Sequence, residues 1–243
     1  MLALGGGLAA VYVPHALRRG HAALLDLKLF RNRGFAAAST TTLLLGIALF
    51  GSLILLPLYY QLVRGADALT TGLLLMPQGL GAAVAMPLAG VLTDRIGARV
   101  VVPTGVVVAL LGTLGLTQVG ATTPYLSLAA ALFLIGLGLG GTIMPSMAVA
   151  FASVSREAVA QATSAINVIQ RLAGSIGTAL LAVVLQRSLE AHGSAAAPAA
   201  AFAHTFWVAA VLVGVALVPA LLLPRAQRTR ACVAGGVPAG ARP

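Results

Sequence analysis

YLSLAAALFLIGLGLGGTIMPSMAVAFA, Tyr125 to Ala152, contains not one charged side chain. A helix needs about 20 mostly apolar residues to cross the roughly 30 Å of hydrocarbon in a bilayer. This run exceeds that length and lacks the two-residue alternation of a barrel strand. It reads as a transmembrane helix.

Working outward, five further stretches qualify, so that the spans fall at 36–58, 71–92, 100–118, 125–152, 161–186 and 205–223. The chain is 59% hydrophobic and only 8% charged, with a mean hydropathy of +1.00. A soluble domain carries roughly 25% charged residues. So few charges cannot cover a water-facing surface, and the chain is expected to be solvated by lipid.

The net charge of +10 invites a nucleic-acid reading. The basic residues sit in short gaps between apolar runs, with no basic stripe interleaved with aromatics, so no nucleic-acid partner is expected. Cys232 is the single cysteine, which rules out a disulfide or a cysteine metal cluster within one chain. Neither a metal nor any other cofactor is expected, and the first residues lack the basic segment and cleavage site of a secretory signal.

Alternate gaps sort the cations by side. One side receives Arg18, Arg19, Lys28, Arg31, Arg33, Arg95, Arg99, Arg156, Arg225, Arg228, Arg230 and Arg242; the other receives Arg64 and Arg187. Arg171 alone falls well inside a span. Cytoplasmic loops carry the Lys/Arg excess, which makes the first side cytoplasmic and places both ends of the bundle there, in a plasma (inner) membrane. Residues 1–34 read as the stub of a preceding transmembrane helix plus a cytoplasmic linker, although Met1–Leu17 could equally be an interfacial helix. Residues 35–224 form the bundle. Residues 188–204, rich in alanine, are expected as the longest outer loop, and 225–243, with Gly235-Gly236, as a disordered cytoplasmic tail.

Between the second and third spans stands Gly90-Val91-Leu92-Thr93-Asp94-Arg95-Ile96-Gly97-Ala98-Arg99. It resembles the G-x-L-x-D-R-x-G-x-R loop of the major facilitator superfamily, in the copy found in that family's C-terminal half. Asp26-Leu27-Lys28-Leu29-Phe30-Arg31-Asn32-Arg33 looks like the linker before the last six helices of the fourteen-helix drug/proton antiporters. Pro57-Leu58-Tyr59-Tyr60-Gln61, Thr71-Gly72-Leu73-Leu74-Leu75-Met76-Pro77 and Asn167-Val168-Ile169-Gln170-Arg171-Leu172-Ala173-Gly174 fit the same branch in order and spacing. The resemblance covers residues 20–224. It implies an all-α polytopic membrane protein, a six-helix bundle equivalent to one half of a major facilitator fold. Such transporters pair two six-helix halves around a midplane substrate site, and this chain looks like the C-terminal half alone.

Several groups can carry function. Gly90, Asp94, Arg95, Gly97 and Arg99 form the motif loop, where the resemblance implies a gating or conformational role; a plain topology-setting turn is the simpler reading. Exposed ion pairs contribute only about 0–1 kcal/mol each, enough to bias an equilibrium. A charge at mid-helix costs about 2.5–3.5 kcal/mol on insertion scales. Asn167, Gln170 and Arg171 share one helical face at i, i+3 and i+4. That face is expected to turn toward the bundle interior or a water-filled cavity and line a substrate path, unless Arg171 merely snorkels. Gln78 and Thr142 are weaker candidates for the same path. Gly136 and Gly140 allow close helix approach, and Pro145 and Pro77 remove backbone hydrogen bonds; packing or a kink follows. Tyr59, Tyr60, Tyr125 and Trp207 read as an aromatic belt at the outer interface.

The acidic residues Asp26, Asp67, Asp94, Glu157 and Glu190 all fall in or beside loops. Proton coupling generally wants a protonatable group inside the membrane, and the resemblance locates such groups in the absent half. P-loop, HExxH and GxSxG patterns are missing, so no catalytic residue and no enzyme is expected. The leading expectation is transmembrane transport, as proton-coupled efflux of drugs or other amphiphilic small molecules. The partners would be the lipid bilayer, a small-molecule substrate, and an N-terminal transporter half or another copy of the chain. The alternative is a transport-inactive truncated remnant or a membrane interaction protein.

Overall fold

The computed structural model describes residues 32–120, 122–154, 158–192 and 197–223. They form six helices: α1 Arg33–Leu62, α2 Ala68–Ile96, α3 Ala98–Leu116, α4 Tyr125–Ala152, α5 Val159–His192 and α6 Ala197–Leu221. All six are long and apolar enough to cross a membrane. Among the described residues there is no strand. The expected stub and linker up to Arg31, and the tail from Pro224 onward, lie outside the described residues.

The helix boundaries differ from the sequence reading at four places, each for a local reason. Asn32 caps α1, its side-chain oxygen accepting from Gly34 N at 2.9 Å, and Asp67 caps α2 through Thr70 N at 3.2 Å. Both caps move the helix start a few residues ahead of the apolar run. The motif loop is scarcely a loop at all. Helix α2 continues through Asp94 and Arg95 to Ile96, and α3 begins at Ala98, with Gly97 alone between them at φ +88° and ψ 149°. The expected outer loop at 188–204 is also mostly helix, because α5 runs to His192 and α6 starts at Ala197. Alanine is the strongest helix former, and Pro198 sits in the first helical turn, where its missing N–H has no intrahelical partner to lose.

The packing has an internal symmetry. Helix α1 packs mainly on α5 and α6, and α4 mainly on α2 and α3; α3 touches α6, and α1 touches α4. Exchanging α1 with α4, α2 with α5 and α3 with α6 maps this set of neighbours onto itself. Helices three apart in an up-and-down series point in opposite directions, so the two three-helix units are an inverted repeat. Helices α2 and α5 end the arc, flanking the α1–α4 pair, and α2 is the least buried of the six.

In lipid, helix association rests on close van der Waals packing rather than on hydrophobic exclusion of water. Glycines supply it here. A Cβ on Gly136 would collide with the carbonyl of Gln78 in α2, and one on Gly140 would lie 2.8 Å from the Ala82 carbonyl. Gly138, two residues along and hence on another face, abuts Ala109 and Gly105 of α3. The other repeat does the same: Gly177 of α5 meets the Ile47 backbone of α1, and Ala173 meets Gly46.

The core divides by depth. At the end holding the start of α1, Phe35, Ala38, Val102, Val106, Ala162, Ala165, Ala216 and Ala220 form one cluster. At the other end Leu55, Leu56, Tyr59, Tyr60, Leu132, Leu181, Phe202 and Phe206 form a second. Tyr59 and Tyr60 are therefore core residues, 0% and 1% exposed, rather than members of an aromatic belt. Tyr59 donates to the Gly120 carbonyl at 2.8 Å and meets Phe202 edge-on, which gives its hydroxyl and ring buried partners. Tyr125 and Trp207 remain exposed.

Candidate functional site

Between the two clusters the packing is incomplete. A cavity of about 130 Å³ opens among α1, α4 and α5, lined by Thr42, Leu45, Gly46, Leu49, Phe50, Leu139, Thr142, Ile143 and Gln170. A second, of about 20 Å³ and thus the size of one water, lies among α1, α2, α3, α4 and α6; Gln78, Ser52 and Thr113 are its polar lining. Leu45, Leu49 and Leu139 border both. Three of the five path candidates, Gln170, Thr142 and Gln78, thus meet at two adjoining voids halfway along the bundle.

The walls are apolar with few polar groups, a composition suited to amphiphilic molecules. Thr142 is 1% exposed and its hydroxyl donates to the Gly138 carbonyl at 2.7 Å. Thr42 bonds back to Ala38 O at 2.9 Å in the same way. Both hydroxyls are satisfied within their own helices, as Thr in apolar helices commonly is. The Gln170 side chain is half-buried and makes no hydrogen bond with any described residue.

Asn167 and Arg171 do not enter the bundle interior. Both are exposed on α5, because the glycine-alanine side of the same helix, Ala173, Gly174 and Gly177, is turned toward α1. The i, i+3, i+4 face is therefore split: Gln170 lines the cavity while Asn167 and Arg171 point outward.

The motif residues gather at one end of the bundle. Asp94 and Arg95 occupy the last turn of α2, Arg99 the first turn of α3, and all three are exposed. None makes an ion pair with another described residue. Gly90 has open space beside it, whereas Gly97 carries the positive φ of the turn. At the same end Asn32 Nδ2 donates to the Ser153 carbonyl, tying the start of α1 to the end of α4. Pro77 and Pro145 both lie inside continuous helices, Pro145 buried and Pro77 half-buried.

The opposite end has a latch that sequence reasoning missed. Arg64 Nη1 donates to the Thr123 carbonyl at 3.0 Å, and its guanidinium lies 4.2 Å from the centre of the Tyr125 ring. With the Tyr59–Gly120 bond, this fastens the end of α1 to the α3–α4 connection. The only hint in the sequence was a lone cation among aromatics on the cation-poor side. Nearby, hydrogen bonds from Thr70 hold the Asp67 carboxyl below the usual carboxylate range. Among the described residues no group of three or more metal-ligating side chains assembles.

The model of the Major Facilitator Superfamily matches residues 3–178. The chain belongs to the Major Facilitator Superfamily. This is a superfamily of transport proteins rather than enzymes, and with six membrane-capable helices the chain is a multi-pass membrane protein. A multidrug resistance protein B homolog of Mycobacterium tuberculosis is 39% identical over 184 residues, covering 74% of this chain and 34% of that protein. A tetracycline resistance determinant of Streptomyces rimosus is 32% identical over 190 residues, or 76% of this chain and 54% of its own length. The lincomycin resistance protein LmrB of Listeria innocua is 27% identical over 169 residues, covering 70% of this chain and 36% of that protein. The chain spans about a third of the length of the mycobacterial relative.

Proposed function

We propose that this chain supplies the C-terminal six-helix bundle of a proton-coupled exporter of drugs or other amphiphilic small molecules, working with an N-terminal bundle. The observation that carries the reading is the mid-depth cavity among α1, α4 and α5, apolar with Gln170, Thr142 and Thr42 at its edge. The drug-resistance names of the relatives support efflux as the direction and amphiphiles as the class. In this reading the cavity walls hold the apolar body of a substrate. Gln170 orients a polar group, and the carboxylates for proton coupling come from the other bundle. The cation asymmetry supports cytoplasmic placement of both bundle ends in the plasma membrane.

The test is dye extrusion from cells. The chain expressed alone is expected to give no efflux. Co-expression with the N-terminal bundle of the mycobacterial relative is expected to restore it, and Gln170→Leu to weaken it. Extrusion by the chain alone, or indifference to Gln170, would overturn the proposal.

A further inference from the structure

The larger cavity is polar at one end only. From the start of α1 its lining rises through Thr42, then Leu45 and Gly46, to Leu49 and Phe50. Helix α4 runs the other way and supplies Thr142 and Ile143 on the side of Thr42, with Leu139 beyond them. Helix α5 is parallel to α1, since Gly46 meets Ala173 and Gly51 meets Leu181. Gln170, three residues before Ala173, therefore stands level with Thr42. All three polar groups lie toward the start of α1, and Leu49, Phe50 and Leu139 close the other end. Thr42 and Phe50 are about 12 Å apart along the helix at 1.5 Å per residue.

One turn further toward the start of α1, the same two faces carry serines. Ser39 stands three residues before Thr42 and Ser146 four residues after Thr142, so each shares a face with the threonine that lines the cavity. The two serines are 2% and 1% exposed, and neither hydroxyl has a hydrogen-bond partner among the described residues. A buried hydroxyl left in that condition is destabilising until something bonds it. The hydrogen-bond inventory also has a direction. Thr42 and Thr142 spend their protons on the Ala38 and Gly138 carbonyls, so toward the cavity they can only accept. Gln170 and the two serines can donate or accept. None of the described residues lining the cavity is charged.

We infer that the Thr42 end of the cavity, backed by Ser39 and Ser146, is a subsite for an uncharged head group that donates hydrogen bonds, such as a primary amide or a hydroxyl. A bound amphiphile lies with that head toward the start of α1, the side to which the cation asymmetry assigns the cytoplasm, and with its apolar end against Leu49, Phe50 and Leu139. Two acceptor-only threonines reward a head that carries N–H or O–H and gain nothing from a bare carbonyl. An ammonium would also donate, but a site offering only neutral dipoles does not repay the loss of its water. This rests on the proposed role of the cavity as the substrate site and adds the head group it takes and the direction in which the substrate lies.

Photolabelling of the full chain in phosphatidylcholine vesicles provides the test. The probes are two octanamides, one with a diazirine beside the amide and one with it at the far end of the chain, and the labelled residues are read by mass spectrometry. The first is expected to mark the turns of Thr42, Thr142 and Gln170, the second those of Leu49, Phe50 and Leu139. Unlabelled octanamide should suppress this labelling at a membrane concentration about threefold or more below that needed of N,N-dimethyloctanamide or protonated octylamine, the range for one or two neutral hydrogen bonds. Joint Ser39→Ala and Ser146→Ala substitution should erase most of that advantage. Alanine is smaller and a better helix former, so wild-type circular dichroism is expected. Gln170→Leu, at a half-buried position, is an independent variant with the same expectation. Reversed labelling, equal competition by the three compounds, or an amide advantage untouched by these variants overturns the inference. Labelling of the cavity by both probes alike overturns it while leaving the cavity as a binding site, whereas no labelling there overturns the inference and the transport reading together.

Discussion

At the residue scale, glycine positions that look alike in sequence have different surroundings. Gly136 faces the Gln78 backbone, which cannot swing aside, whereas Gly79 has nothing within 4 Å. Gly136→Ala is expected to lower stability by about 1–3 kcal/mol through overpacking, and Gly79→Ala to leave it nearly unchanged. Thermal unfolding in detergent compares them. Tyr59→Phe removes the shorter of the two hydrogen bonds that the Gly120 carbonyl accepts, leaving the one from Thr123 N at 3.4 Å, and is expected to cost about 1 kcal/mol, read by the same melt. Tyr59 is amphipathic and stands near a span end, which fits a belt as well as a core. Only the neighbouring Phe202 and Gly120, distant in sequence, separate the two.

At the scale of elements, the joint between α2 and α3 is a single residue. Gly97 occupies a region of backbone space open essentially to glycine alone, where other residues cost of order 1–3 kcal/mol. Gly97→Ala is therefore expected to destabilise the bundle by about that amount, while Ile96→Ala, at an exposed position, is not. The α2 start behaves differently with pH. The Asp67 carboxyl titrates below its ordinary value because Thr70 bonds favour the charged form. Its capping contribution is fully present above the unfolded carboxylate value and disappears only as pH falls through the depressed folded one. Hydrogen exchange at the Thr70 amide is expected to stay slow down to the ordinary carboxylate range and to quicken below it. Asp67→Asn, which cannot titrate, should remove that pH dependence.

At the scale of the whole molecule, the inverted repeat and the side assignment make a topology prediction. Native Cys232 is expected to react with impermeant maleimide only from the cytoplasm. In a Cys232→Ser background, Thr122→Cys, exposed in the α3–α4 connection, should react only from outside. Reversal of either result would undo the orientation.

From the apolar runs alone follow the six helices of the described residues, their order, and which of their ends share a side. Hydrophobic length and cation placement are properties of local sequence, and a bilayer reads them one segment at a time. The tertiary structure decided which helix faces meet. It showed that Gly136 and Gly138 serve different neighbours, that Gln170, Thr142 and Gln78 come to adjoining cavities, and that Asn167 and Arg171 are turned away from them. Apart from the polar residues of α5, these helices are apolar on all sides and carry almost no amphipathic signal to orient them, so rotation about each axis is fixed by small-residue contacts between segments far apart in the chain.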